Sequence, residues 1–155
     1  EIGCHTFGHD DCAQRPPFDT LQDLAKNRDA LAEMGAPLLE TLAYPYGETT
    51  IELKRSLPPR FACARGVMPG VNHGRTDLSQ LRAFAMFGAP FDAMRKALKQ
   101  AAKRKAWVIG FTHDVADAPS AWGTSAADLD ALLRTARELD FTILPVSAAL
   151  ARRLA

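Results

Sequence analysis

The sequence predicts an α/β fold of parallel strands covered by helices, and three observations carry that expectation. Four short apolar runs, at residues 41–44, 61–64, 107–111 and 141–144, alternate with longer stretches whose apolar residues recur at helical spacing. The run Trp107-Val108-Ile109-Gly110-Phe111 is apolar throughout, as in a strand covered on both faces. Strand alternating with helix implies βα units and therefore parallel pairing. Four strands are too few to close a barrel.

The elements follow in order. Pro16-Pro17 leads into a helix over residues 19–34, with Leu21, Leu24, Leu31 and Met34 on one stripe, stopped by Gly35 and Pro37. The strand at 41–44 ends in the turn-forming cluster Pro45-Tyr46-Gly47. A helix over 50–57 ends at Pro58-Pro59, and the buried strand at 61–64 follows. Residues 66–75, with three glycines, a proline and an asparagine, read as a loop. Pro90 suits the first turn of a helix reaching 105, with Phe91, Met94, Leu98 and Ala101 inward. Ser125 caps a helix carrying Leu129, Leu132, Leu133, Ala136 and Leu139 on one face. A closing helix starts at Ser147 and turns Leu150 and Leu154 inside.

The 155 residues suffice for one domain with a core, at 47% hydrophobic and 24% charged. A net charge of +1 gives no pointer to nucleic acid or an acidic membrane surface. Lys96, Lys99, Lys103, Arg104 and Lys105 cluster as the solvated face of a helix. No apolar run approaches the roughly 20 residues that span a bilayer. Three cysteines, an odd and small count, do not make a disulfide framework. Glu1-Ile2-Gly3 shows neither an initiator Met nor a signal peptide, so the chain reads as a fragment whose compartment is not legible.

Chemistry gathers at three places. His5 and His9 stand four residues apart, and on a helical turn that spacing brings both imidazoles to one face and one metal ion. Zinc accepts imidazole nitrogen and in catalytic sites keeps a position open for water. A third ligand is needed, and Asp10 and Asp11 point away from the shared face. Cys4 and Cys12 flank the histidines and offer a structural Cys/His site as the alternative, though without the paired C-x-x-C form. His113 follows the clearest strand, where parallel folds place their chemistry, and its imidazole suits a general acid; a histidine hydrogen-bonded to a loop is the equally weighted alternative. Tyr44-Pro45-Tyr46-Gly47 is a turn after a strand whose backbone N–H groups could meet an oxyanion. Trp122 either stacks on a sugar face or packs against its own loop.

The segment Glu1-Ile2-Gly3-Cys4-His5-Thr6-Phe7-Gly8-His9 resembles the second motif of the polysaccharide deacetylases (the NodB-homology domain, carbohydrate esterase family four). That motif is H-[S/T]-x-x-H after E-I-G, often with Asn where Cys4 stands. Leu42-Ala43-Tyr44-Pro45-Tyr46-Gly47 resembles the third motif, and Phe111-Thr112-His113 the fifth. The resemblance implies a distorted (β/α) barrel, here partial and lacking its N-terminal strand or strands. Residues 1–155 are then a single catalytic domain, incomplete at its N-terminus. It also implies one divalent metal ion, zinc-like, held by His5, His9 and an aspartate that the chain does not supply. His113 becomes the general acid and the Tyr46 backbone an oxyanion donor. Tyr44, Pro45, Tyr46 and Trp122 line the substrate, an N-acetylated polysaccharide or oligosaccharide.

The departures are specific. The first motif, which brings the adjacent aspartates, is absent, and Asp10-Asp11 follows the histidines instead of preceding them. Ala43 stands where the third motif usually has Arg; Arg65, after the next strand, is the candidate replacement in the catalytic set. His73 falls in the loop that fills the fourth motif's place. The activity expected is removal of N-acetyl groups from an amino-sugar polymer; O-acetyl ester hydrolysis and metal or glycan binding without catalysis are the alternatives. The 155 residues alone, short of one ligand and the base, are expected to be inactive and poorly stable.

Overall fold

The computed structural model describes residues 1–88 and 90–154 and shows a mixed α/β chain. The strands are β1 (Thr41–Ala43), β2 (Cys63–Arg65), β3 (Phe84–Ala85) and β4 (Gly110–Phe111); the helices are α1 (Pro17–Glu33), α2 (Ile51–Ser56), α3 (Pro90–Ala102), α4 (Ala126–Glu138) and α5 (Val146–Leu154). They fall into two compact units. One comprises residues 1–66, 77–81 and the segment from Val146 onward; the other comprises 67–76 and 82–145. All pairing within the named strands is parallel, as expected, and no closed barrel forms among the described residues.

The first unit is organised by β1. It pairs with β2 in the register Thr41 with Cys63, Leu42 with Ala64 and Ala43 with Arg65. Its other edge takes Cys4, bridged in parallel to Leu42, with Cys4 N donating to Thr41 O (2.7 Å) and Ala43 N to Cys4 O (2.9 Å). Leu81 extends the row beyond Arg65. The ladder is short, so apolar burial must hold it. Leu24 of α1, Leu53 of α2, Leu39, Leu42, Leu57 and Tyr44 form one cluster beneath it.

Helix α1 begins at Pro17 because proline is preset for the first helical position and needs no N–H there. It ends with Met34, 80% exposed, followed by Gly35 at φ 83°. Gly35 N–H donates to Ala32 O and Ala36 N–H to Leu31 O, closing the orphan carbonyls. Met34 therefore leaves the inward stripe predicted for it. Helix α2 is capped by Thr50, whose hydroxyl accepts from Leu53 N (3.1 Å).

Glu1 ties the unit together across the whole sequence. Its carboxylate accepts from Thr41 Oγ1 (2.7 Å) and from Ser147 N and Oγ (2.9 and 3.0 Å) at the start of α5. Leu150 of α5 is buried; the Leu154 side chain lies outside the described residues.

In the second unit β3 and β4 pair Phe84 with Gly110 and Ala85 with Phe111. Met94 and Leu98 of α3 and Leu132 and Ala136 of α4 pack with Phe84. Ser125 caps α4, its hydroxyl accepting from Asp128 N (3.0 Å). Asn72 is fully buried and spends its amide on the backbone of Arg82: Nδ2 donates to Arg82 O (2.9 Å) and Oδ1 accepts from Arg82 N (3.0 Å). Its backbone pairs antiparallel with Trp107.

Three strand expectations change. The run at 61–64 pairs one to two residues later, at β2. Of 107–111 only Gly110–Phe111 joins the parallel ladder, because Trp107 is taken by Asn72. Residues 141–144 form no strand: no described strand pairs with them, and Ile143 and Leu144 stay 48% and 39% exposed. Strand β3, between the loop and α3, has no counterpart in the sequence reading.

Two outcomes test this account. Leu53, with no exposure at all, should cost about 2–5 kcal/mol on replacement by Ala, read by denaturant unfolding. Burial pushes the Glu1 carboxyl up, but its hydrogen bonds from Thr41 and Ser147 outweigh burial and hold it below its ordinary value. Its stabilising effect is thus full above the unfolded carboxylate's pKa and lost as pH falls through the lowered one. Glu1→Gln should flatten the acid limb of stability against pH, measured by thermal melts.

Candidate active site

The parallel row in the first unit brings three sequence-distant residues to its C-terminal ends. His5 follows Cys4, the Tyr44–Gly47 turn follows β1, and Arg65 ends β2. This is where parallel α/β folds gather chemistry. Arg65 is the register partner of Ala43, so it lies beside the position where the resemblance expects an arginine. It is half-buried, and burial draws its guanidinium below its ordinary value; Nη1 donates to Gly66 O (3.4 Å).

The His5–His9 segment is not a helical turn. Thr6 and His9 both take positive φ, 64° and 55°, and His9 N–H donates to Thr6 Oγ1 (3.0 Å). The loop nonetheless brings the two rings into contact. The two imidazole centroids are 4.8 Å apart, edge to face. His5 Nδ1 lies 2.7 Å from Ala43 O. A carbonyl can only accept, so Nδ1 carries the proton and Nε2 the lone pair a metal uses.

Asp23 on α1, which the sequence reading passed over, holds this loop. Its carboxylate accepts from Phe7 N (2.7 Å) and Gly8 N (3.1 and 3.2 Å). A Cβ on Gly8 would meet the Asp10 carboxylate at 2.8 Å and Asp23 at 3.3 Å, so a larger residue there must displace one of them. Lys26 sits 3.9 Å above the Phe7 ring, a cation–π contact on the same strap. Asp23 lies fifteen positions from Gly8 and carries no local motif, which is why spacing did not expose it.

Tyr46 adopts φ 57° and ψ −5° inside the Pro45–Gly47 3₁₀ turn. Its ring is 63% exposed and meets His9 at 5.3 Å. Gly47 N–H is engaged by Tyr44 O (3.0 Å), whereas no described group accepts from Tyr46 N–H. Tyr44 and Pro45 are buried. The Tyr44 hydroxyl donates to Ser79 O (2.7 Å), and burial raises its phenol. The Tyr44 ring therefore serves the core, and Tyr46 carries the exposed face of the segment.

Nearby carboxylates are engaged elsewhere. Asp10 pairs with Arg15, and Asp11 accepts from Ala13 N (2.9 Å). Among the described residues no group of three or more His, Cys, Asp or Glu side chains is placed to hold a metal ion. The two imidazoles suit two positions around a divalent ion, whose nitrogen ligands sit at about 2.0–2.1 Å, and the third position has no donor here. The thiols do not fill it. Cys4 Sγ donates to Asn27 Oδ1 (3.1 Å) with its pKa raised by burial, and burial pushes Cys12 up to about 11.

In the second unit His113 stands exposed just past β4. Its backbone N–H and its ring Nδ1 both donate to Trp122 O, at 3.2 and 3.3 Å. Phe87 lies 5.9 Å from both the His113 and Trp122 rings, and Trp122 is 62% exposed. Phe87 was not foreseen; it lies in a stretch without clear periodicity. His73 is an exposed loop residue.

The fold and these side chains define an α/β chain with His5 and His113 just past the C-terminal ends of parallel pairings. Residues 1–57 match the family model for polysaccharide deacetylase, so the resemblance holds for the stretch with His5, His9 and the Tyr44–Gly47 turn. The match points to deacetylase chemistry on a carbohydrate. Neither the curated proteins nor the solved structures contain a match to the chain. No described helix is long and apolar enough to cross a membrane.

Replacing Asp23 by Ala should release the Phe7 and Gly8 amides, at a cost of about 1–3 kcal/mol for the lost charged acceptor. Hydrogen exchange at those two amides is the readout, and protection equal to wild type would contradict the assignment.

Proposed function

We propose that the two units act as one catalytic domain, part of a distorted (β/α) barrel, that removes N-acetyl groups from an amino-sugar polysaccharide. The observation that carries this reading is the imidazole pair at the strand ends, with His5 Nδ1 fixed on Ala43 O, inside the matched segment. His5 and His9 would hold a divalent ion of the kind imidazole suits, zinc among them, with a third ligand that the described residues do not place beside them. Bound there, such an ion would supply Lewis-acid chemistry for the acetamide carbonyl and for a water. Tyr46 N–H, at its strained turn, donates to the oxygen that gains charge. His113 gives a proton to the departing amine. Arg65, beside Ala43, takes the place of the third motif's arginine. The exposed rings of Tyr46 and Trp122 offer apolar faces to sugars, and the Tyr44-Pro45 backbone shapes the turn.

The assay is acetate release, by this chain and by any longer protein that carries it, from N-acetylglucosamine oligomers and, in parallel, from acetylated xylan. Release from the oligomers supports the proposal, and release from xylan alone would replace it with ester hydrolysis. Zinc bound in calorimetry with no acetate from either substrate would make the protein a metal-binding relative without catalysis. His5→Ala and His9→Ala should each abolish both zinc binding and turnover. His113→Ala should lower kcat about 10²- to 10⁴-fold, the usual worth of a general acid, with zinc affinity unchanged. Residues 1–155 alone should release no acetate, for want of a third ligand and a base.

A further inference from the structure

The His113 ring is hydrogen-bonded to a loop, and one carboxylate ties that loop's tip to its start. Residues 114–122 leave β4 and return so that the Trp122 carbonyl faces His113. Asp114 sits at the mouth of this excursion. Its Oδ2 accepts from Ser120 N (3.0 Å) and its Oδ1 from Ser120 Oγ (2.6 Å). Ser120 Oγ in turn accepts from Trp122 N (3.2 Å). The chain of bonds runs from the Asp114 carboxylate through one hydroxyl to the residue whose carbonyl receives His113 Nδ1–H.

We infer that Asp114 is a positioning residue for His113, acting through Ser120 and Trp122 to fix the imidazole as its Nδ1–H tautomer. Two further observations agree. Gly123 packs its backbone directly on the carboxylate: a Cβ there would lie 2.3 Å from Asp114 Oδ1 and 2.6 Å from Cγ. The closing bonds, Thr124 N to Asp114 O (3.0 Å) and Ala116 N to Thr124 O (3.3 Å), set the loop's base independently of the carboxylate. Removing the Asp114 side chain should therefore loosen the loop's tip without opening its base. The Ser120 hydroxyl and amide also hold the Asp114 carboxyl below its ordinary value, so it is ionised and a full acceptor near neutral pH.

The consequence is chemical. With Nδ1 committed to a carbonyl, the proton His113 can give or take lies on Nε2. A histidine freed from Trp122 O exchanges tautomers and turns about its χ angles, so fewer molecules present Nε2 correctly. This role rests on the general-acid reading of His113, but its test does not.

Imidazole nitrogen shifts in the ¹⁵N-labelled protein, assigned with His113→Gln and recorded above the imidazole's titration, report the tautomer directly. Wild type should show His113 mainly as Nδ1–H. Asp114→Ala and Ser120→Ala should both shift it mainly to the Nε2–H form that unconstrained imidazole favours. Gly123→Ala, which pushes on the carboxylate from the other side, should give the same shift. Asp114→Asn, which keeps one acceptor, should fall between. A wild-type His113 in the Nε2–H form, or an unchanged tautomer in folded Asp114→Ala and Ser120→Ala, would overturn the assignment. In an active protein the same variants should lower kcat about tenfold with KM little changed. An inactive protein whose His113 still follows Asp114 would sink the deacetylase reading and leave the clasp standing.

Discussion

Leu42 is paired on both sides, to Cys4 and to Ala64, and the chemistry of the first unit hangs on that alignment. Because the strands run in parallel, their C-terminal ends fall on one edge, and whatever follows each strand is delivered there. Cys4 delivers His5, β1 delivers the tyrosine turn and β2 delivers Arg65. A slip of one residue would send each of these side chains to the opposite face. With so few ladder bonds, the register depends on burial of Leu42, Ala64 and Leu53 against the helices, and on the Glu1 carboxylate that joins Thr41 to Ser147.

The same device recurs in the second unit. His113 and His5 are each held by a main-chain carbonyl on Nδ1, Trp122 O in one case and Ala43 O in the other. A carbonyl is a milder partner than a carboxylate: it fixes the tautomer without adding negative charge beside the ring. On each ring Nδ1 meets a neutral carbonyl, although the Asp114 carboxylate is near enough to interact electrostatically with His113. Supporting carboxylates stand one step back, where Asp23 and Asp114 act on loop amides and hydroxyls.

Much of this was written in local patterns. The α/β class, the five helices and the parallel pairing followed from apolar spacing and from Pro, Gly and Ser at the right ends. The short ladders did not, because a strand exists only where a partner chain runs beside it, and pairing is not a property of one segment. Residues 141–144 are as apolar as β1, yet no described strand lies alongside them, whereas Phe84–Ala85 pairs because β4 is there. The histidine spacing predicts a helical turn, whereas two residues in left-handed conformations bring the two rings together instead. Asp23 was invisible, and Asp114 beside His113 had no role assigned, for a different reason: a carboxylate that serves loop amides has no sequence periodicity. The Ala43–Arg65 adjacency was foreseen as a possibility and needed the register to become a fact.

The three cysteines, each at most 3% exposed, have a practical consequence. Burial raises all three thiols, Cys12 and Cys63 to about 11, so near neutral pH almost none is present as the nucleophilic thiolate. Maleimide and iodoacetamide reagents should pass over the folded chain. A single cysteine placed on an exposed helix face could then carry a fluorophore or spin label with the native thiols left in place. Reactivity appearing at Cys4 or Cys12 would serve as a clock for the opening of the histidine strap.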